Sequence, residues 1–171
     1  MSVTHTRNRS GAILILCAVV ASVVGAILLH RHQFIPKNAA LLSMSASVTA
    51  DGENVPIILD SGNQTINAAE VFIHFDPQII QVESISKDNS IFQIWITDSP
   101  SFSNTTGEIS LAGGLPNPGF KGRGTVGRLK LRLLKQGVAK LQFLSRSRVL
   151  LNDGKGTSVP LVQDDITLRG I

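Results

Sequence analysis

The sequence predicts an all-β domain, an antiparallel sandwich or jelly roll of about eight or nine short strands, standing behind one N-terminal transmembrane helix. Three observations carry this. Apolar residues recur at every second position through most of the chain beyond residue 40, the period of a strand with one buried face. Turn-forming residues interrupt these runs about every 8–12 positions, and no amphipathic helical pattern intervenes. A single uncharged apolar run, GAILILCAVVASVVGAILL, occupies residues 11–29.

That run, as a helix, is roughly 28 Å long, close to the hydrocarbon thickness of a bilayer, and it keeps its backbone hydrogen bonds internal. It exceeds the apolar stretch of about 7–15 residues usual in a cleaved signal peptide. It also closes on Ile27, Leu28, Leu29 and His30 rather than on a small-x-small cleavage site. The reading is an uncleaved signal anchor, with residues 1–10 as a cytoplasmic tail and 30–40 (HRHQFIPKNAA) as a linker. Arg7 and Arg9 precede the helix and Arg31 and Lys37 follow it, so charge alone does not orient it. The expectation is a single-pass protein of the cell membrane with its long C-terminal domain, residues 41–171, outside.

The strands follow in order. Leu42, Met44, Ala46 and Val48 alternate with Ser43, Ser45, Ser47 and Thr49, and Asp51-Gly52 signals a turn. VPIILD (55–60) is a second strand. INAAEVFIHF (66–75) is a third, with Ala69, Val71, Ile73 and Phe75 on one face and Glu70, Phe72 and His74 on the other. Asp76-Pro77 ends it, because proline cannot continue a ladder. IIQVESI (79–85) follows; SIFQIWI (90–96) reads as a strand or a short helical turn. EISLAGG (108–114) precedes a glycine- and proline-rich loop (115–124). GRLKLRLL (127–134) alternates most cleanly, with Leu129, Leu131 and Leu133 inward and Arg128, Lys130 and Arg132 outward. VAKLQFL (138–144), RVLL (148–151) and LVQDDITLRG (161–170) complete the domain.

The net charge of +4 does not point to nucleic acid. Four of the sixteen Lys/Arg residues are Arg7, Arg9, Arg31 and Lys37, leaving twelve against all twelve Asp/Glu beyond them. Acids concentrate over 51–108 and bases over 121–148, which predicts acidic and basic strands lying side by side, or else a basic face for anionic glycan or lipid. The one cysteine, Cys17, lies in the apolar run, so the domain has neither a disulfide nor thiol chemistry.

Catalytic constellations are missing from the pattern. His5, His30 and His32 flank the apolar run and His74 stands alone on a strand. Asp164-Asp165 are neighbours and point to opposite faces of a strand, so they do not form an acid/base pair. Asn152-Asp153-Gly154-Lys155-Gly156-Thr157 has the composition of a tight turn; a calcium loop would want further oxygen ligands and a distal Glu. No phosphate loop, nucleophile elbow or cofactor motif is present, so neither an enzyme nor a cofactor is expected.

Three blocks, INAAEVFIHFDPQIIQVESIS (66–86), SIFQIWITDSPSFSNTTGEISLAGGLPNPGFKGRGTVGRLKLRLL (90–134) and VLLNDGKGTSV (149–159), occur in an order that resembles cohesin-like domains. The resemblance spans most of residues 41–168. It implies a nine-stranded jelly-roll sandwich akin to carbohydrate-binding modules, and a role in binding rather than catalysis. Cellulosomal cohesins bind dockerins; the resemblance therefore implies a protein partner on the cell surface. Alternatives are a carbohydrate-binding module that attaches the cell or a partner enzyme to polysaccharide, and a structural subunit of a membrane assembly. The candidate recognition residues are Phe92, Trp95, Phe102, Asn117 and Phe120, aromatic and amide side chains within the turn-rich block 90–120. With no Tyr and one Trp in the chain, core or loop packing is the competing role for these rings.

Overall fold

The computed structural model describes residues 35–49 and 52–170. The expected tail, the anchor at 11–29 and the first part of the linker lie outside the described residues. Among the described residues no helix is long and apolar enough to cross a membrane. Residues from Ile35 onward form one compact unit.

Thirteen strand segments are described: β1 (Ala40–Met44), β2 (Ser47–Thr49), β3 (Gly52–Asp60), β4 (Ile66–Phe75), β5 (Ile80–Ser86), β6 (Ile94–Trp95), β7 (Ser101–Ser103), β8 (Glu108–Gly114), β9 (Arg123–Leu133), β10 (Gly137–Phe143), β11 (Arg148–Leu151), β12 (Leu161–Asp164) and β13 (Ile166–Gly170). They form two sheets. Sheet A runs β12-β1-β3-β9-β5, with β2 continuing beside β3. Sheet B runs β13-β10-β4-β8-β6, with β11 on β4 and β7 on β8. All pairings are antiparallel except β1 with β12.

The count exceeds the expected nine for a physical reason. β1 and β2 lie end to end along β3, β6 and β7 along β8, and β10 and β11 along β4. Each pair is one lane broken by a turn. Conversely, 161–170 is not one strand. The chain leaves sheet A after Asp164 and enters sheet B at Ile166. Asp165 sits at the crossing, and its Oδ1 accepts the backbone N–H of Phe143 (2.9 Å). Of 90–96, only Ile94–Trp95 is strand.

The core lies between the sheets. Leu42, Val55, Ile57, Leu59, Leu129 and Leu131 from sheet A meet Val71, Ile73, Phe75, Ile109, Leu111 and Leu141 from sheet B. Burial of each such side chain contributes about 1.5–3 kcal/mol relative to exposure. The alternation expected for β4 and β9 is present: Ala69, Val71, Ile73 and Phe75 are buried, as are Leu129 and Leu131, with Leu133 partly buried. A bulge in β9, between the pairs Ile57↔Gly127 and Ile58↔Thr125, inserts Val126 as an extra inward residue. Gly127 keeps the space for Leu111 of the facing sheet; a Cβ there would stand 2.7 Å from Leu111 Cδ2.

Acidic and basic strands do lie side by side. Glu83, in a bulge of β5, reaches Lys130 (3.7 Å) and Arg132 (3.5 Å) of β9, and Arg132 also donates to Gln81. Arg148 faces Glu70 across the β11–β4 ladder, with its Nη2 2.6 Å from Oε2. Arg146 holds Glu108 at 3.0 Å. Such exposed pairs are each worth at most about 1 kcal/mol, so they set side-chain positions more than stability.

Candidate interaction face on the outer side of sheet B

Strand alternation sends Ala68, Glu70, Phe72 and His74 of β4 to the outer side of sheet B. Opposite them in register stand Gly114, Ala112, Ser110 and Glu108 of β8. The two central lanes therefore carry small residues at one end and polar or aromatic ones at the other. Ile94 pairs with Gly114, and the Ile96 N–H donates to the Ala112 carbonyl, which places both isoleucines along one side of the small-residue end. Leu150, opposite Ala68, lies on the other side. Ile96 and Leu150, standing on either side of Ala68, make a trough. A cavity of about 280 Å³ there is lined by Ala68, Glu70, Ile96, Arg148 and Leu150.

The polar end depends on one buried hydroxyl. Between β10 and β11 the chain turns away from β4, which deprives Phe72 of a regular ladder partner. Ser147, 5% exposed, fills the gap. The Phe72 N–H donates to Ser147 Oγ (3.0 Å), and that hydroxyl donates to the Phe72 carbonyl (3.2 Å). Because Ser147 turns inward, its neighbours Arg146 and Arg148 project outward on either side. The Arg146 guanidinium lies 4.5 Å from the centre of the Phe72 ring, and Arg148 gives both Nε and Nη2 to Glu70 Oε2 (3.1 and 2.6 Å). A shallow cleft between the arginines is lined by Glu70, Phe72, Ser145, Arg146 and Arg148. It adjoins a second cleft of about 200 Å³ lined by Phe72, Phe102, Glu108, Ser110 and Arg146, among others. Trough and clefts share residues, so they form one continuous surface.

The five residues singled out by sequence are dispersed. Phe92 is 4% exposed and packs edge-on against Trp95, with ring centres 5.2 Å apart. Trp95 is half-buried against the core, and Lys87 Nζ lies 4.9 Å over its ring. Phe120 packs against the core beside Ile66, with which it exchanges two backbone hydrogen bonds (both 2.9 Å). Asn117 is exposed in a loop fastened by Asn152, whose Nδ2 donates to the Pro118 carbonyl (2.9 Å). Phe102, 40% exposed, borders the Arg146 cleft, but its pairing with the buried Ile109 turns its side chain to the inner side of the sheet at its edge. Ile94, Ile96, Leu150, Arg146 and Arg148 were not singled out by sequence reasoning. Their local signals are Ile-x-Ile at 94–96 and Arg-Ser-Arg at 146–148, where a small hydroxyl residue separates two outward cations.

The 152–157 loop is a turn that satisfies its own carboxylate. Asp153 Oδ1 accepts the Lys155 N–H (2.8 Å), and the Thr157 hydroxyl followed by that backbone N–H holds the Asp153 carboxyl below the ordinary aspartate range. Among the described residues no three His, Cys, Asp or Glu side chains group as a metal would require.

No protein-family model matches this sequence, and no curated protein matches it significantly. Solved structures do. A non-cellulosomal cohesin from the hyperthermophilic archaeon Archaeoglobus fulgidus matches with a TM-score of 0.55 at 17% identity, over 80% of this chain and 92% of that one. A type I cohesin from a cohesin–dockerin complex of Clostridium thermocellum matches at 0.60 and 12% identity, over 78% of this chain and all (100%) of that one. The cohesin module of a Clostridium perfringens family 33 glycoside hydrolase matches at 0.59 and 11% identity, over 77% of this chain and 96% of that one. At these identities the likeness concerns the backbone arrangement: the two-sheet sandwich of this chain has a cohesin-like fold.

Proposed function

We propose that the chain is a membrane-anchored, extracytoplasmic binding module that engages a protein partner through the outer side of sheet B. One observation carries this reading. The large apolar side chains most exposed among the described residues are Ile35, Ile94, Ile96, Phe102, Leu134 and Val138. Two of them, Ile94 and Ile96, stand together on the outer side of sheet B, and Ile96 lines the same cavity as Arg148. Exposed apolar groups gathered on one face beside arginines are the composition of a protein-recognition surface. The fold supports the same reading, since a cohesin of this architecture from Clostridium thermocellum is seen in complex with a dockerin.

A protein partner fits better than a polysaccharide. Sugar stacking needs an open aromatic platform, and the single Trp is packed against Phe92 on its edge and covered by Lys87. The apolar run at 11–29 supports membrane attachment, because its length and lack of charge suit a bilayer.

The test is site-specific photo-crosslinking of the full-length chain in its native membrane. A photoreactive residue replacing Ile96 is expected to trap a protein, whereas one replacing Ile58 on sheet A is not. Adducts from Ile58 alone, or capture of polysaccharide only on a glycan array, would count against the proposal. Protease added to intact cells is expected to remove the domain; resistance until lysis would place it inside.

A further inference from the structure

We propose that the face on sheet B selects an acidic segment: a carboxylate of the partner enters the cleft between Arg146 and Arg148 while a nearby aliphatic side chain of the same segment fills the trough between Ile96 and Leu150. This deepens the proposed function and rests on its choice of face.

The charges on the strands and the β10–β11 turn of this face are unequal. Outward residues include the cations Lys140, Arg146, Arg148 and Arg169 and the carboxylates Glu70 and Glu108; His74 stands among them. Each carboxylate is engaged by one arginine, Glu70 by Arg148 and Glu108 by Arg146. Two turn acids near the strand ends are spent on backbone, Asp76 on the Gln78 N–H and Asp165 on the Phe143 N–H. The surplus on the strand face is therefore positive; it consists of Lys140 and Arg169 on the β10–β13 ladder, while the two cleft arginines offer their unused N–H donors.

The arginines keep donors to spare. A guanidinium carries five N–H groups. The side-chain hydrogen bonds of Arg148 use Nε and Nη2, and that of Arg146 uses Nη2. Both stay more than half exposed, at 60% and 51% of the side chain, and both line one cleft with Ser145. Their posture is held by the inward Ser147 between them and by the Phe72 ring under Arg146. A planar carboxylate accepts two parallel N–H bonds from such a group, a geometry that fixes register as well as charge.

The apolar half sets the spacing. Leu150 lies opposite Ala68, and Arg146 lies over Phe72, four residues along β4 and so about 13 Å away. An extended segment covers that distance in about four residues. A partner bearing leucine, isoleucine or valine at one end and Asp or Glu four or five residues on matches both features at once. Lysine in place of the acid would meet the arginines head-on.

The experiment uses the full chain in lipid nanodiscs, with methyl and arginine side-chain NMR signals as readout. The probes are end-blocked peptides of six residues that begin with leucine and end in two glutamates, with two lysines or two glutamines as controls, and polygalacturonate as an acidic polysaccharide. The glutamate peptide is expected to shift the Ile96 and Leu150 methyls and the Arg146 Nε signal saturably, at least tenfold tighter than the lysine peptide, with the preference shrinking as salt is raised. Arg146→Gln with Arg148→Gln should reduce that preference below twofold; Arg146→Lys with Arg148→Lys keeps the charge but loses the fork, and should fall in between. Equal binding of the lysine peptide, shifts on β9 instead of sheet B, no saturable shift, or response to polygalacturonate alone would each overturn the inference. If crosslinking from Ile96 traps a protein yet the glutamate peptide fails, the face stands and its acidic preference falls; if that crosslinking fails, the choice of face itself falls.

Discussion

Replacing Ser147 by alanine removes one oxygen and tests how the arginine face is built. In the native chain the Ser147 hydroxyl is the acceptor for the Phe72 N–H at 3.0 Å and a donor to the Phe72 carbonyl at 3.2 Å. The carbonyl keeps a second partner, the Leu144 N–H at 2.8 Å, so only the N–H is orphaned by the change. A partly buried amide left without an acceptor costs about 1–3 kcal/mol. The packing loss is small, since the substitution keeps the Cβ of this buried residue and removes a single oxygen atom. The expected loss is therefore about 2 kcal/mol. For a domain with a urea slope of about 2 kcal/mol/M, that lowers the urea midpoint by about 1 M with the slope unchanged. Hydrogen exchange localises the effect: the Phe72 amide should lose protection far more than those of Val71 and Ile73, which face β8. A midpoint within 0.2 M of the parent (~0.4 kcal/mol at that slope), or exchange unchanged at Phe72, would refute the idea that this hydroxyl stands in for a missing ladder bond.

Other perturbations probe the remaining links. Gly113→Ala drives a Cβ into the Phe92 ring and to 2.9 Å from the Ile94 carbonyl; it should destabilise by about 1–3 kcal/mol, and Phe92→Leu in the same chain should recover part of that in a thermal melt. Glu53 is 7% exposed and its Oε2 has no hydrogen-bond partner. Glu53→Met is therefore expected to leave the unfolding free energy unchanged or raise it by about 1 kcal/mol, and a loss above that size in urea would show that the carboxylate contributes to stability. Asp153 titrates low because the Thr157 hydroxyl and then the Lys155 N–H favour its charged form. A carboxyl depressed in the folded state contributes stability that is present above its unfolded pKa and lost as pH falls through the folded one. Carbon-detected NMR should thus place the Asp153 midpoint below the ordinary aspartate range, and Thr157→Val should move it upward; an unmoved midpoint would remove Thr157 as the main cause.

The alternating rows are legible in the sequence itself, and for a local reason. In GRLKLRLL the side chains take opposite faces by backbone geometry alone, so Leu129 and Leu131 had to share the core once the segment was a strand. The same holds for Val71, Ile73 and Phe75 against Glu70, Phe72 and His74. The segregation of acids from bases along the chain likewise implied neighbouring strands of opposite charge, and Glu70–Arg148 and Glu83–Lys130 are such pairs.

What local pattern does not contain is pairing. LVQDDITLRG reads as one strand, yet it divides at Asp165 between two sheets, because a hydrogen bond to Phe143, 22 positions away, fixes the crossing. Phe92 and Trp95 read as recognition residues in a turn-rich segment, yet Gly113 of β8 leaves a recess that Phe92 enters, and Trp95 closes over it. Arg146 and Arg148 lie in the basic stretch 121–148, but only β4 beneath them and Ser147 turned inward gather them over Phe72 and Glu70. A sequence alone determines which side of a strand is apolar, since that depends on residues two apart. Which strands meet, where the chain changes sheet and which side chains gather on one face depend on contacts between residues tens of positions apart, and only the packed sandwich decides them.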